Sequence, residues 1–166
     1  MAAKWSGPWP QPQQYSLKAR FVNLGLNAVG QLPGLAGVSG TVDGTEGGGT
    51  LLLSMQNADM DLPLVFQDKL HFDTLTAQVG WQRNGEQFDI RINDISFANR
   101  DIAGSVSGAY QTAANSRGVV DLTAHATRAD ARSVARYVPL RIGERGRPWM
   151  AAAFLGGTSN DVKLRL

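Results

Sequence analysis

The sequence predicts a mainly β fold: an antiparallel, curved meander sheet of about eight to nine strands, with two short helices near the C-terminus. Three observations predict it. Gly is frequent, at 19 of 166 residues, and charged residues make up only 18%, against about 25% in an ordinary soluble domain. Apolar and polar residues alternate with period two along most of the chain. Gly- and Asn-containing turn signals separate the alternating runs.

The runs can be taken in order. Tyr15, Leu17, Ala19 and Phe21 share one face, opposite Ser16, Lys18 and Arg20. Val38–Val42 and Leu51–Met55 form the next pair, joined through Asp43-Gly44, Thr45-Glu46 and Gly47-Gly48-Gly49. Leu75, Ala77, Val79 and Trp81 alternate with Thr76 and Gln78. Arg83-Asn84-Gly85 contains an Asn-Gly pair, a strong hairpin signal, and leads into Phe88, Ile90 and Ile92. The phase then slips, because Ile95 and Phe97 continue the apolar face one residue out of step; a β-bulge at Asn93-Asp94 accounts for that. Trp81 and Phe88 are positioned to pack across this hairpin. Ser105–Tyr110 and Val119–Ala124 flank a turn at Asn115-Ser116-Arg117-Gly118, and Val162, Leu164 and Leu166 give a last strand.

Two segments leave the period of two. Asp130–Tyr137 reads as a short helix with Asp130 as N-cap. Arg147–Leu155 reads as a second, with Pro148 in its first turn and Gly156-Gly157 ending it. Trp149, Ala153 and Phe154 lie on one side of it, a side expected to bury against the sheet.

The organisation is read as residues 1–14 forming a linker, with Pro8, Pro10 and Pro12 giving polyproline character, and 15–166 forming one β-rich domain. The final alternation stops without a turn, so the sequence reads as a segment of a longer chain. A faint echo relates Leu35–Gly40 to Leu75–Gly80 at an offset of 40, and Asn57-Ala58-Asp59 to Asn99-Arg100-Asp101 at an offset of 42. It suggests a sheet that grows by adding hairpins.

Chemistry-bearing patterns are sparse. The absence of Cys excludes a disulfide framework and a thiolate metal site. The net charge is +2, and 12 of the 16 basic residues are Arg, spread along the chain apart from a loose run from Arg128 to Arg147. That lacks the dense basic footprint of nucleic-acid binding. No apolar run approaches the ~20 residues of a membrane-spanning helix. There is no nucleophile elbow, P-loop or His-Glu-x-x-His motif. His71 and His125 stand alone, and His125 falls on the polar face of its strand. Asp59 and Asp61 lack the further ligands and the Gly of a Ca²⁺ loop; Asx-type turns account for Asn57 and Asp59. The sequence therefore points to no catalytic residue, no cofactor and no metal site.

Three stretches carry a family resemblance. Leu32-Pro33-Gly34-Leu35-Ala36-Gly37-Val38-Ser39-Gly40 matches an L-P-G-x-x-G-x-S-G segment. Leu62-Pro63-Leu64-Val65-Phe66-Gln67-Asp68-Lys69-Leu70 and Asp73–Trp81 match an L-P-x-V-F-x-x-P-L…L-x-x-L-x-G-x-V-x-W stretch, with Lys69 in place of Pro and Ala77 in place of Gly. Arg136-Tyr137-Val138-Pro139 and Pro148–Gly157 are similar to R-Y-L-P…W-L-x-x-A-x-x-G-G, with Val138 and Met150 in place of Leu. In order and spacing the chain resembles the YhdP-like branch of the AsmA-like/TamB superfamily. The resemblance implies a long protein anchored in the inner membrane by an N-terminal helix and extending through the periplasm of Gram-negative bacteria. It implies a repetitive β-sheet wrapped into a groove with an apolar interior, and a link to phospholipid movement towards the outer membrane and to envelope integrity. The expected partners are phospholipid acyl chains and flanking segments of the same chain, with membrane contact only through parts outside this segment. The expected lipid-facing strip is Leu75, Val79, Trp81, Phe88, Ile90 and Ile92. The competing expectation is a structural or protein-interaction domain in which the helices cover the sheet and leave no groove.

Overall fold

The computed structural model describes residues 2–6, 14–29, 34–112, 118–138, 140 and 146–165. Period-two alternation becomes one ten-stranded antiparallel sheet. Its strands are β1 (Ala2–Ser6), β2 (Gln14–Leu26), β3 (Gly34–Thr45), β4 (Gly48–Asp61), β5 (Leu70–Asn84), β6 (Gln87–Ala98), β7 (Ile102–Gln111), β8 (Val119–Asp130), β9 (Thr158–Ser159) and β10 (Val162–Arg165). From β1 to β8 each strand pairs with its sequence neighbours, and β9 and β10 both return to β8. Part of the segment read as a linker, Ala2–Ser6, pairs with Gln14–Lys18 of β2; the prolines at 8, 10 and 12 fall outside the described residues.

The turns follow from residues that tolerate unusual backbone. In the β5–β6 hairpin Asn84 pairs with Gln87, so the loop is Gly85-Glu86, one residue later than the Asn-Gly pair implied. Gly85 takes the positive φ of 63°, and a Gly in the first loop position suits a tight hairpin. Of the turn expected at Asn115-Ser116-Arg117-Gly118, residues 115–117 lie outside the described residues. The bulge expected at Asn93-Asp94 is present: Gln78 pairs with Asp94 and Val79 with Ile92, leaving Asn93 extra. A second irregularity was not legible. Gly37 on β3 (φ 77°) faces Asn57 on β4 (φ 51°), where Ala36 pairs with Asp59 but Val38 with Met55. Asn tolerates the left-handed region better than other side chains, and the bulge bends the strands.

The echo at an offset of 40 does not survive as structural equivalence. Val38 is buried on the apolar face, whereas Gln78 lies exposed on the other. Asn57 sits in a bulge within β4, whereas Asn99 closes the β6–β7 turn.

The helices are shorter than expected. Asp130 caps as anticipated, its carboxylate accepting from the backbone N–H of Arg132, but a 3-10 turn (Ala131–Ser133) precedes a single α-turn, α1 (Val134–Tyr137). Helix α2 spans Gly146–Ala153. It does not bury its apolar side against the sheet: Trp149 is 65% and Phe154 39% exposed, and no residue of α2 is buried. Their rings instead meet each other edge-on at 6.4 Å.

The core is correspondingly small. Val38, Met55, Ala58, Leu70, Phe72, Leu75 and Ala77 form its buried cluster, and no large described side chain is fully buried. The accessible surface of 11514 Å² is well above the about 8,000 Å² typical of a compact monomer of this mass. The molecule is an open curved sheet rather than a closed sandwich.

Candidate functional site: an apolar sheet face closed at one end

Directly paired residues in an antiparallel sheet share a face, so the register reads out the surface row by row. One row runs Phe21, Gly40, Leu53, Ala77, Ile95, Val106, Ala124, Leu164 from β2 to β10. The next runs Ala19, Val42, Leu51, Val79, Ile92, Gly108, Leu122. A third joins Leu17, Gly44, Gly49, Trp81, Ile90, Tyr110 and Val120. On the opposite side of the first, a fourth joins Leu24, Val38, Met55, Leu75, Phe97, Gly104, Ala126 and Val162. None of these positions carries a charge. The reverse face is the complement: Ser39, Ser54, Thr76, Ser96, Ser105, His125 and Lys163 form one continuous polar row. With strands about 4.8 Å apart, each apolar row extends roughly 30 Å.

The six residues singled out from the sequence all lie on this apolar face, but not in one environment. Leu75 is 4% exposed and belongs to the covered core. Val79, Trp81, Phe88, Ile90 and Ile92 are half-buried on the uncovered part. Trp81 does not turn towards Phe88, which pairs with Arg83. Its indole lies over Gly44 and Gly49: a Cβ on either glycine would come within 2.6 Å of its Cζ2. Those two glycines let the ring lie flat on the sheet.

Sequence reading missed the breadth of the face, which continues through β2–β4 and β7–β8. Glycines at 40, 44, 49, 104 and 108 stand on the apolar rows, and a glycine gives no hydropathy signal.

One end of the face is closed. Beyond Leu75, strands β4 and β5 change phase together, bringing Ala58, Leu70 and Phe72 onto the apolar side. Phe66 from the Leu62–Lys69 loop and Tyr137 from α1 pack over them, and Phe72 meets Phe97 edge-on at 5.9 Å. A polar latch fixes this cover. Asn99, 6% exposed, accepts from the backbone N–H groups of Asp101 and Ile102 and donates to the His71 carbonyl at 2.6 Å and the Tyr137 hydroxyl at 2.9 Å. Asp101 accepts from Arg136 Nη1 at 2.6 Å. Arg128 donates to the carbonyls of Asn99 and Arg100. Burial pushes the Tyr137 phenol above its ordinary pKa, so it stays a neutral hydroxyl in this network.

The histidines are held by carboxylates. His71 Nδ1 lies 2.8 Å from Asp59 and its Nε2 3.6 Å from Asp73; Asp61 faces Lys69 at 3.4 Å. His125 lies on the polar face, as anticipated, 2.8 Å from Asp161. Among the described residues no group of three or more His, Cys, Asp or Glu could hold a metal ion, and no helix is long and apolar enough to cross a membrane.

The family model described as YhdP protein matches residues 1–166. The chain belongs to the YhdP family. The match includes all three stretches that carried the resemblance, two of which border the closed end: Leu62–Leu70 supplies the covering loop, and Arg136-Tyr137 the latch. No curated protein and no solved structure matches the chain.

Proposed function

We propose that this chain is a segment of a passive conduit for phospholipid acyl chains, set in the periplasm within a longer inner-membrane-anchored protein and serving transport towards the outer membrane. The observation that supports this best is the run of uncharged apolar rows across β2 to β10, backed by a polar face and uncovered over much of its area. Acyl chains need a continuous apolar surface screened from water, and exposed apolar area of this extent marks a binding surface. Membership of the YhdP family supports the same reading. The role requires no covalent step, no catalytic residue and no cofactor. The competing reading, a closed interaction domain, needs the helices to cover the sheet, and α2 leaves it open.

Photocrosslinking in cells tests the proposal. A photoreactive residue at Val79 or Ile92 is expected to capture phospholipid, and one at Thr76 or Gln78, on the reverse face, is not. No lipid adduct from the apolar rows, or equal labelling from both faces, refutes it.

A further inference from the structure

The Arg128–Arg147 run finds no use in the apolar face. Three of its arginines, Arg132, Arg136 and Arg147, line an open-mouthed cavity of about 420 Å³ between α1, α2 and the Leu62–Lys69 loop, whereas Arg128 serves the Asn99 latch. Arg132, Ser133, Arg136, Arg147, Gln67 and Asp68 are among its lining residues. The volume lies within the about 300–1,000 Å³ of small-ligand sites. Arg132 gives Nε and one Nη to Asp130, and Arg136 gives Nη1 to Asp101. A guanidinium has five N–H donors, so both retain others.

Arg147 differs. Its Nε is buried and, among the described residues, has no hydrogen-bond partner. A buried charged donor left unpaired bears its full desolvation cost, and such a group calls for a specific explanation. Arg147 also stands in the first turn of α2, where the helix dipole favours an anion.

We propose that this cavity binds a phosphate group held by the guanidinium groups of Arg132, Arg136 and Arg147, and that the phosphate's negative charge offsets the desolvation of the buried Arg147 Nε. Planar guanidinium donors suit phosphate oxygens, and Ser133 and Gln67 add neutral hydrogen-bonding groups. The site stands on its own geometry. That the phosphate is a lipid headgroup, rather than a free anion, rests on the acyl-chain reading above.

The test is NMR observation of the Arg147 Nε–H signal of the 166-residue chain, titrated with inorganic phosphate and, separately, with monomeric dihexanoyl phosphatidylglycerol, at constant ionic strength. The signal is expected to shift with at least one probe. Arg147→Gln, followed through the Arg132 and Arg136 Nε–H signals because it removes that of Arg147, is expected to weaken binding about tenfold, the worth of one charge-assisted hydrogen bond. Asp68→Asn is expected to tighten it by removing a like charge. Arg91→Gln, on a distant strand, is expected to leave it unchanged. Tighter binding of the phospholipid supports a headgroup; equal binding supports a free phosphate at the same site. No shift of the Nε–H signal with either probe overturns the proposal whether or not the variants fold. Equal weakening by Arg91→Gln also overturns it, since binding would then reflect net charge alone.

Discussion

Leu75 and Trp81 stand on the same strand and the same face, six residues apart, yet one is core and the other lines an open surface. The rows through them are equally apolar. What differs is the cover: at Leu75 the Leu62–Lys69 loop and α1 close over the sheet, while at Trp81 nothing from the described chain does. Apolarity decides which face a residue takes, and a separate polar latch around Asn99 decides where that face is sealed. The sealed end holds the fold together, and the open end is free for another partner.

The largest expected effect breaks the sealed end. Leu75→Ala should cost about 2–5 kcal/mol in urea unfolding followed by circular dichroism. Ile90→Ala, in the open row, should cost well under half as much, because its side chain is only half-buried. Equal costs would mean that the open row is buried in solution and that the contrast is false. Asn99→Ala should follow, at about 1–3 kcal/mol. It removes an acceptor for two backbone N–H groups and the donor that ties His71 to Tyr137, and limited proteolysis should then cut near α1 before the sheet.

Gly44→Ala probes the open end. A Cβ there would sit 2.6 Å from the Trp81 indole, so the ring must lift from the sheet. The expected result is a modest loss of about 1 kcal/mol and greater acrylamide quenching of Trp81 fluorescence in a background with the other tryptophans replaced by Phe.

The contrast shows what the sequence makes legible. Period two reveals the strands, the side of each apolar residue, and the Asn93 bulge, because each is written in the order of neighbouring residues. The cover is not written that way. Trp149, Ala153 and Phe154 have the spacing of a core-facing helix, yet Trp149 stays exposed and its ring packs on Phe154. The cover comes instead from Phe66 in a loop and from Tyr137 at the end of a one-turn helix, neither of which has a periodic signature. Arg147 is equally silent in sequence: one arginine among twelve, distinguished only by the burial of its Nε.

The smallest expected effect lies at the sheet edge. The hydrogen bond from His125 and the charge of Lys163 hold the Asp161 carboxyl below its usual range. A depressed carboxyl pKa contributes stability that is present above the unfolded value and is lost as pH falls through the folded one. The protection of the Lys163 and Leu164 amides in β10, measured against their intrinsic exchange rates, should therefore fall on acidification through and below the ordinary carboxylate range. Asp161→Asn should remove that pH dependence while leaving exchange in β5 unchanged.

The order of the strands has a consequence for how such a protein can evolve. From β1 to β7 each strand hydrogen-bonds in the sheet only to its neighbours in sequence, so away from the latched end stability accumulates nearly one-dimensionally, as in repeat arrays. Most contacts are made between successive strands, which favours rapid zippering outward from a nucleus. The latched hairpins around Asn99 are a natural place for that nucleus. A hairpin inserted or deleted elsewhere would lengthen or shorten the sheet without disturbing it, so the span of the molecule can change by gene-level duplication of two strands at a time.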